Sequence, residues 1–162
     1  MSAVSKIAVA SDHNGFRYKE EIRKYLEENG YAVSDLGQDS ETPPALDFAV
    51  AEMVALSVAN GTADRGILIC GSGAGMCIAA NKVPGCFAAL CFDVFTAESA
   101  RTRNNANILT MGSKTIDLDL AKEIVSVWLR AEFESGTSDK RNVARNRHLL
   151  ELDTKYRKKG PS

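Results

Sequence analysis

The sequence predicts a three-layer α/β/α domain with a five-stranded parallel sheet and a helical tail at the C-terminal end. Two observations favour this fold class. Short apolar runs alternate with segments of helical spacing along the 162 residues, an order typical of strand–helix–strand units. The run 66–70 is apolar without polar alternation, as expected of a strand that helices cover on both faces.

The first half of the chain supplies three strands and two helices. Apolar runs predict strands at 6–10, 31–35 and 66–70, and a polar, proline-containing stretch predicts a loop at 38–44. Between the strands, apolar residues three, four and seven positions apart mark one face of a helix. Two sets show this spacing: Tyr18, Ile22, Tyr25 and Leu26, which Asn29-Gly30 would end, and Leu46, Val50, Met53 and Val54.

The second half continues the alternation with two strands, two short helices and one long helix. In chain order, the two short helices and two strands are predicted as a helix at 76–81, a strand at 87–91, a helix at 96–103 and a strand at 108–111. The long helix has the most regular spacing, and Asp117 stands where it can cap the first turn. Its apolar face consists of Leu120, Ile124, Val127, Trp128 and Ala131.

The composition indicates one globular domain and argues against several classes of protein. With 44% hydrophobic residues, 25% charged residues and a net charge of −1, nothing calls for nucleic acid or a membrane as partner. No apolar stretch is long enough to cross a bilayer or to act as a signal peptide. We expect residues 1–136 to form the domain and the basic residues 137–162 to form its tail, helical from about 140 to 156.

The cysteines and histidines give no metal-binding pattern. The four cysteines, at positions 70, 77, 86 and 91, form no CxxC pair and no zinc-like spacing with His13 and His148. In a chain without a secretion signal they are most simply reduced thiols. We therefore expect a cytoplasmic protein that uses no metal and no cofactor.

Residues 70–75, Cys-Gly-Ser-Gly-Ala-Gly, form the most informative motif. Alternate glycines let backbone amides turn toward a bound oxyanion, and a helix beginning near Gly75 would add its positive end. The same environment favours the thiolate of Cys70 and makes it a usable base. The motif fits a cradle for an anion or an enediolate best.

Three other interpretations of this motif are weaker. A dinucleotide-binding loop would need glycine where Met76 stands. A serine-hydrolase elbow around Ser72 would need glycine at the position of Cys70. A plain strand-to-helix turn, with Cys70 as a small core residue, would be favoured if the cysteine stood alone.

Two further segments hold polar side chains that suit a sugar ligand. The carboxylate of Asp12 beside the imidazole of His13 can orient a hydroxyl and exchange a proton, but an aspartate that caps the next helix explains the pair equally well. The asparagines of segment 104–107 either cap a tight turn or bind a polyhydroxylated ligand. We expect segments 11–13, 70–72 and 103–105 to meet at the carboxyl edge of the sheet, where α/β folds bind ligands.

Together these segments resemble the type B ribose-5-phosphate isomerase and galactose-6-phosphate isomerase family, from Ile7 to the region of Leu152. The resemblance implies a Rossmann-like fold, an aldose–ketose isomerase of phosphorylated sugars, and a homodimer or tetramer whose active sites are shared between subunits. Five blocks carry it: Ala10-Ser-Asp-His13, Gly66-Ile-Leu-Ile-Cys-Gly-Ser-Gly-Ala-Gly75, Ile78-Ala-Ala-Asn-Lys-Val-Pro-Gly85, Asn104-Asn-Ala-Asn-Ile-Leu109 and Leu120-Ala-Lys-Glu-Ile-Val-Ser-Val-Trp-Leu129.

The resemblance also implies roles for individual residues. Cys70 would be the base that moves a proton between C1 and C2, with Ser72 assisting and Asp12 engaging the sugar oxygens. The enediolate would lie on the amides of Gly71, Gly73, Ala74 and Gly75, and such oriented amides can replace the electrostatic role of a metal. The remaining ligands would be His13 near the phosphate end, Asn104 at a hydroxyl, and Arg141 of the partner subunit at the phosphate.

The chain departs from the family pattern at positions that bear on the substrate. Arg103, expected among the substrate-binding residues, stands where the family usually has a histidine associated with opening the furanose ring. Thr137-Ser138 replaces the Arg-His pair that the family usually has ahead of Arg141, and Lys114, Arg145 or Arg147 would then supply the lost phosphate contacts. The Tyr-Pro pair that the family usually has near Ala45-Leu46 is also absent.

The resemblance and these departures leave one leading reaction and three alternatives. We expect ribose 5-phosphate to ribulose 5-phosphate as the leading reaction. The first alternative is isomerisation of a tetrose phosphate, which cannot close a furanose ring, and the second is isomerisation of a hexose phosphate. The third is a catalytically silent subunit that binds sugar phosphates.

Overall fold

The computed structural model describes residues 4–37, 48–133 and 140–156, which form five strands and six helices. In chain order these are β1 Lys6–Ser11, α1 Phe16–Glu28, β2 Ala32–Asp35, α2 Ala49–Ala59, β3 Arg65–Cys70, α3 Ala74–Ala80, β4 Ala88–Leu90, α4 Val94–Thr102, β5 Ile108–Gly112, α5 Leu118–Arg130 and α6 Lys140–Lys155. The predicted alternation is confirmed, with bounds that move by a few residues. The loop expected at 38–44 and Leu46 lie outside the described residues.

The five strands form one parallel sheet in the order β2-β1-β3-β5-β4. The connection from β1 leads to β2 on one side of it in the sheet, whereas the connection from β3 leads to β4 on the opposite side. The connections after β1 and β3 therefore run in opposite directions. A divergence of this kind opens a crevice at the carboxyl edge of the sheet. Asp12 and Cys70 lie at the two strand ends that border it.

Helices cover both faces of the sheet, which explains the apolar run in β3. Successive strand residues point to opposite faces. Ile67 accordingly packs in the same core cluster as Trp128, whereas Leu68 and Cys70 pack with Met76 on the other face. Cys70 is thus held from behind by a packed core at the end of a central strand.

Helix ends follow the chemistry of the sequence. Asp117 caps α5, since its carboxylate accepts a hydrogen bond from the amide of Leu120 at 2.8 Å, as predicted. Asp93 caps α4 in the same way through the amide of Thr96. None of the described helices is long and apolar enough to cross a membrane.

One expectation about placement is wrong. Residues 103–105 precede β5, and in a parallel sheet the residues that precede a strand lie at its amino edge. The register pairs Gly66 with Ile108 and Cys70 with Gly112. Ile108, which follows the asparagine segment, is four residues from Gly112, the residue level with Cys70. At roughly 3.3 Å per residue, the asparagine segment lies about 13 Å or more along the sheet from Cys70. The three polar segments do not meet within one chain.

The tail helix α6 lies at the same amino edge. The side-chain amide of Asn146 donates to the carbonyl oxygen of Asn104 at 2.9 Å. The backbone amide of Gly85, in the connection before β4, donates to the carboxylate of Asp153 at 3.0 Å. Arg141, which is exposed, is therefore carried on the side of the domain opposite the carboxyl edge.

Candidate active site

The loops that follow β1, β3 and β5 converge at the carboxyl edge. The amide of Ser113 donates to the carbonyl oxygen of Cys70 at 2.8 Å, and its hydroxyl donates to the carbonyl oxygen of Asn14 at 2.8 Å. The amide of Asp12 donates to the carbonyl oxygen of Ile69 at 3.2 Å. These bonds fix the three loops to one another, so side chains on them keep a defined spacing.

The sulfur of Cys70 has a hydrogen-bond donor built into the motif that follows it. The backbone amide of Gly73 donates to Sγ at 3.0 Å. This hydrogen bond fixes the position of the sulfur relative to the loop that follows β3. With 8% of the residue exposed, the thiol is shielded by the protein yet sits at the end of a strand that opens to the crevice. These are the properties that a proton-transfer base requires.

The other three cysteines lack these properties. Burial raises the pKa of Cys91 to about 12 and the pKa of Cys86 to about 11, so both thiols stay neutral near pH 7. The thiol of Cys77 donates to the carbonyl oxygen of Ala88 at 3.4 Å, on the side of α3 that packs against β4. Cys70 is the thiol best suited to chemistry at this edge.

Gly73 is required both by backbone conformation and by space. Its φ of +80° lies in the left-handed region, which side chains other than glycine rarely adopt. A Cβ there would lie 2.5 Å from Leu90 Cδ1 and 2.8 Å from the carbonyl carbon of Met111. This conformation turns the Gly73 amide toward the Cys70 sulfur.

The remaining amides of the motif differ in their partners. The amide of Ala74 donates to Ser72 Oγ at 3.3 Å. Gly75 stands in the first turn of α3, where amides have no intrahelical acceptor. Two of the amides expected to hold an enediolate, those of Gly73 and Ala74, therefore bond within the loop, and the hydroxyl of the exposed Ser72 lies beside them.

Asp12 and His13 lie in the turn between β1 and α1, and the carboxylate of Asp12 does not cap the first turn of that helix. Asp12 Oδ1 accepts from the amide of Gly15, the residue directly before α1, at 2.9 Å. The side-chain nitrogen of Asn14 lies 3.1 Å from His13 Nε2 and 3.4 Å from Asp12 Oδ2. Buried His13 Nδ1 and Ser11 Oγ have no hydrogen-bond partner among the described residues. The edge thus holds buried polar atoms that no described protein group satisfies.

A cavity of about 770 Å³ adjoins the motif on the side of β5. It is lined by residues of α1, by Asn14, and by Ser113, Lys114 and Leu118 of the β5–α5 connection. The position that a Cβ on Gly71 would occupy lies 3.6 Å from Lys114 Cδ and 3.7 Å from Asn14 Cβ. The sequence motifs did not single out Asn14 or Ser113 as site residues, although Asn14 directly follows His13.

Arg103, Asn104 and Arg141 are not part of this constellation within one chain. Arg103 and Asn104 are exposed in the turn before β5, and Arg141 is exposed on α6, all at the amino edge. In the part of the chain described here, no group of three or more His, Cys, Asp or Glu side chains is placed to hold a metal ion.

Comparison with known proteins gives a consistent result. Residues 7–145 match the family described as Ribose/Galactose Isomerase. Ribose-5-phosphate isomerase B of Escherichia coli is 44% identical over 139 residues, which is 85% of this chain and 92% of that protein. The D-erythrulose-4-phosphate isomerase of Pectobacterium atrosepticum is 42% identical over 132 residues, 82% of this chain and 87% of that protein.

A solved structure shares the fold. Ribose-5-phosphate isomerase B of Clostridium thermocellum superposes with a TM-score of 0.88 at 42% sequence identity, covering 94% of this chain and 99% of that chain.

Proposed function

The chain belongs to the ribose/galactose isomerase family, and on that basis we propose that it interconverts ribose 5-phosphate and ribulose 5-phosphate. It is an aldose–ketose isomerase of phosphorylated sugars. The observation that carries the proposal is the Cys70 sulfur, which accepts an amide hydrogen bond at the crevice between β1 and β3. Polar side chains lie on the loops that border the crevice, and Lys114 lies against the neighbouring Gly71.

In the proposed mechanism the Cys70 thiolate removes the proton from C2 of the open-chain aldose. The electron pair moves into the C1–C2 bond and the carbonyl oxygen becomes the oxyanion of a cis-enediolate, which oriented amides of the motif stabilise. The hydroxyl proton at O2 passes to O1 with Ser72 or Asp12 as the relay. The Cys70 thiol then returns its proton to C1, giving the ketose and restoring the thiolate.

The site requires a second copy of the chain. We infer a homodimer in which the amino edge of one subunit faces the carboxyl edge of the other, because a two-fold axis perpendicular to the strands brings opposite edges together. Arg103, Asn104 and Arg141 of the partner would then meet Cys70. Exposed Ile78, Phe92 and Phe95 support an apolar contact, since these three side chains are 62%, 57% and 68% exposed.

Arg103 supports a second candidate substrate, a tetrulose 4-phosphate. An arginine side chain does not shuttle protons near neutral pH in the way that histidine does. A four-carbon ketose phosphate has no furanose ring to open, so the lost histidine would not matter for it. The erythrulose-phosphate relative shows that the family includes such an activity.

A panel of sugar phosphates separates these substrates. If the tetrulose candidate is correct, kcat/KM for the tetrulose phosphate should be at least as high as for ribose 5-phosphate, because ring opening limits only the pentose. Arg103→His should then raise kcat/KM for ribose 5-phosphate alone, with Arg130→His on the far end of α5 as control. A strong preference for ribose 5-phosphate that Arg103→His leaves unchanged would remove the tetrulose candidate. Absence of turnover across the panel would instead favour a silent sugar-phosphate-binding subunit.

A further inference from the structure

The turn between α4 and β5 contains a residue in an uncommon backbone conformation. Asn105 has a φ of +54°, in the left-handed region that residues other than glycine seldom occupy. The two residues before it, Arg103 and Asn104, are exposed at the amino edge, and the proposed dimer brings both to the partner's active site. The conformation at Asn105 therefore affects how these two side chains are presented.

One guanidinium group holds this turn from the inner side. Arg101, in the last turn of α4, donates from Nη1 to the side-chain oxygen of Asn105 and, at 3.1 Å, to the carbonyl oxygen of Ala106. The backbone amide of Asn105 donates to the carbonyl oxygen of Arg101 at 3.2 Å. The side chain of Arg101 thus bonds to the left-handed residue and to the residue that follows it.

The charge of Arg101 has no carboxylate partner in the part of the chain that the structure describes. Burial lowers the pKa of Arg101, and its Nε is buried with no hydrogen-bond partner among the same residues. The dipole of α4 favours a cation in the last turn, but only modestly. The hydrogen bonds to the turn are therefore the main contacts that compensate this buried charge.

Arg65, a second buried arginine at the amino edge, makes different contacts. Its Nη1 donates to the carbonyl oxygen of Trp128 at 3.3 Å, and its Cζ lies 5.2 Å from the centre of the Trp128 ring. Both contacts join β3 to the end of α5, and neither involves the turn before β5. Arg65 is therefore a matched comparison for Arg101, since it differs in what its guanidinium group holds.

We propose that Arg101 is a positioning residue for the isomerase reaction. By holding the left-handed turn at Asn105, it sets the direction in which Asn104 faces the active site of the partner subunit. The inference rests on the proposed function and on the dimer proposed with it. The carbonyl oxygen of Asn104 also accepts from Asn146 of α6 at 2.9 Å, so the backbone that carries this side chain is anchored at two points. A ligand-binding group that is held in place before the substrate arrives binds it more effectively.

A double-mutant cycle in steady-state kinetics tests this role. We expect Arg101→Met to lower kcat/KM for ribose 5-phosphate by about 10- to 100-fold, the usual effect of losing hydrogen bonds from a charged group. Because Arg101 acts through Asn104, the double variant with Asn104→Ala should lose about as much as the more damaging single variant, not the product of the two losses. Arg101→Lys should recover part of the loss, since an ammonium group can bond to one of the two acceptors. Arg65→Met should lower the thermal unfolding temperature and leave kcat/KM close to that of the wild type.

Mixing variants shows on which side of the interface Arg101 acts. Arg101→Met mixed with Cys70→Ala should restore about a quarter of the wild-type activity, because half of the dimers are mixed and one of their two sites carries neither substitution. Arg101→Met mixed with Arg141→Ala should restore nothing, since each site then keeps one substitution. A subunit that Arg101→Met merely destabilised would lose its own carboxyl edge as well and would not recover with Cys70→Ala.

The outcomes separate this inference from the proposed function. If the wild type turns over sugar phosphates but Arg101→Met leaves kcat/KM unchanged, the positioning role is overturned and the function stands. Losses that multiply in the double variant, an equal loss in Arg65→Met, or no recovery with Cys70→Ala although heterodimers form would also overturn it. If Arg101→Met does not fold, the same cycle and mixtures are measured with Arg101→Lys. If the wild type turns over no sugar phosphate, the proposed function fails and the positioning role fails with it.

Discussion

Replacing Cys70 by alanine is expected to lower kcat by roughly 10²- to 10⁴-fold, the usual contribution of a general base. The fold should survive, because the side chain removed is small and lies at the end of β3 rather than in its middle. KM should change little, since the sulfur acts on a carbon-bound proton and not on the groups that hold the sugar. Steady-state kinetics and a thermal unfolding curve measure both effects.

Cys77→Ala is the matched control for this variant. Cys77 lies seven residues after Cys70, but its thiol donates a hydrogen bond to the carbonyl oxygen of Ala88, away from the crevice. Its turnover should stay within about twofold of the wild type, as is usual for a residue outside the reacting groups. Near-normal turnover of Cys70→Ala would remove this thiol from the mechanism.

Mixing two inactive variants is expected to restore activity. Cys70→Ala disables the carboxyl edge, and Arg141→Ala disables the phosphate contact expected from the partner's tail. In a heterodimer of the two, one site carries both substitutions and the other carries neither. Random pairing makes about half of the dimers mixed, so activity should recover to about a quarter of the wild type.

A mixture of Cys70→Ala with Ser72→Ala provides the control. Both residues lie on the same edge of the same subunit, so every site of that heterodimer keeps one substitution and no recovery is expected. If Cys70→Ala and Arg141→Ala restore nothing although heterodimers form, the tail does not act across the interface. If the control pair recovers as well, recovery does not report on shared sites.

The sequence predicted the fold more completely than the site. The strand and helix periods, the cap at Asp117 and the uniformly apolar β3 each depend on local spacing and are confirmed within a few residues. The prediction that residues 103–105 lie beside Cys70 was wrong. These residues precede β5, whereas Cys70 ends β3, and in a parallel sheet a segment before a strand lies at the opposite edge from one that follows a strand. The domain bounds and the roles of the individual site residues stay predictions.

The cavity beside the glycine motif, which Arg17 of α1 lines, could not be predicted from sequence. It arises where α1 meets the β5–α5 connection, and its charge depends on which of the cations of α1 finds a carboxylate. The helical spacing of α1 does not indicate which residues of other elements lie opposite Arg17. The ion pair of Lys122 with Glu21 joins residues 101 positions apart in the sequence, and it forms because α1 and α5 pack side by side.

The central claim is that a protein base at Cys70 moves a proton between C1 and C2. Isomerisation in D₂O tests this claim most directly. After many turnovers of its sugar-phosphate substrate by the wild type, nuclear magnetic resonance should find deuterium at C2 of the aldose and at one C1 position of the ketose. Cys70→Ala should lose this exchange together with turnover. Exchange at these carbons that persists at the wild-type rate in Cys70→Ala would contradict the mechanism.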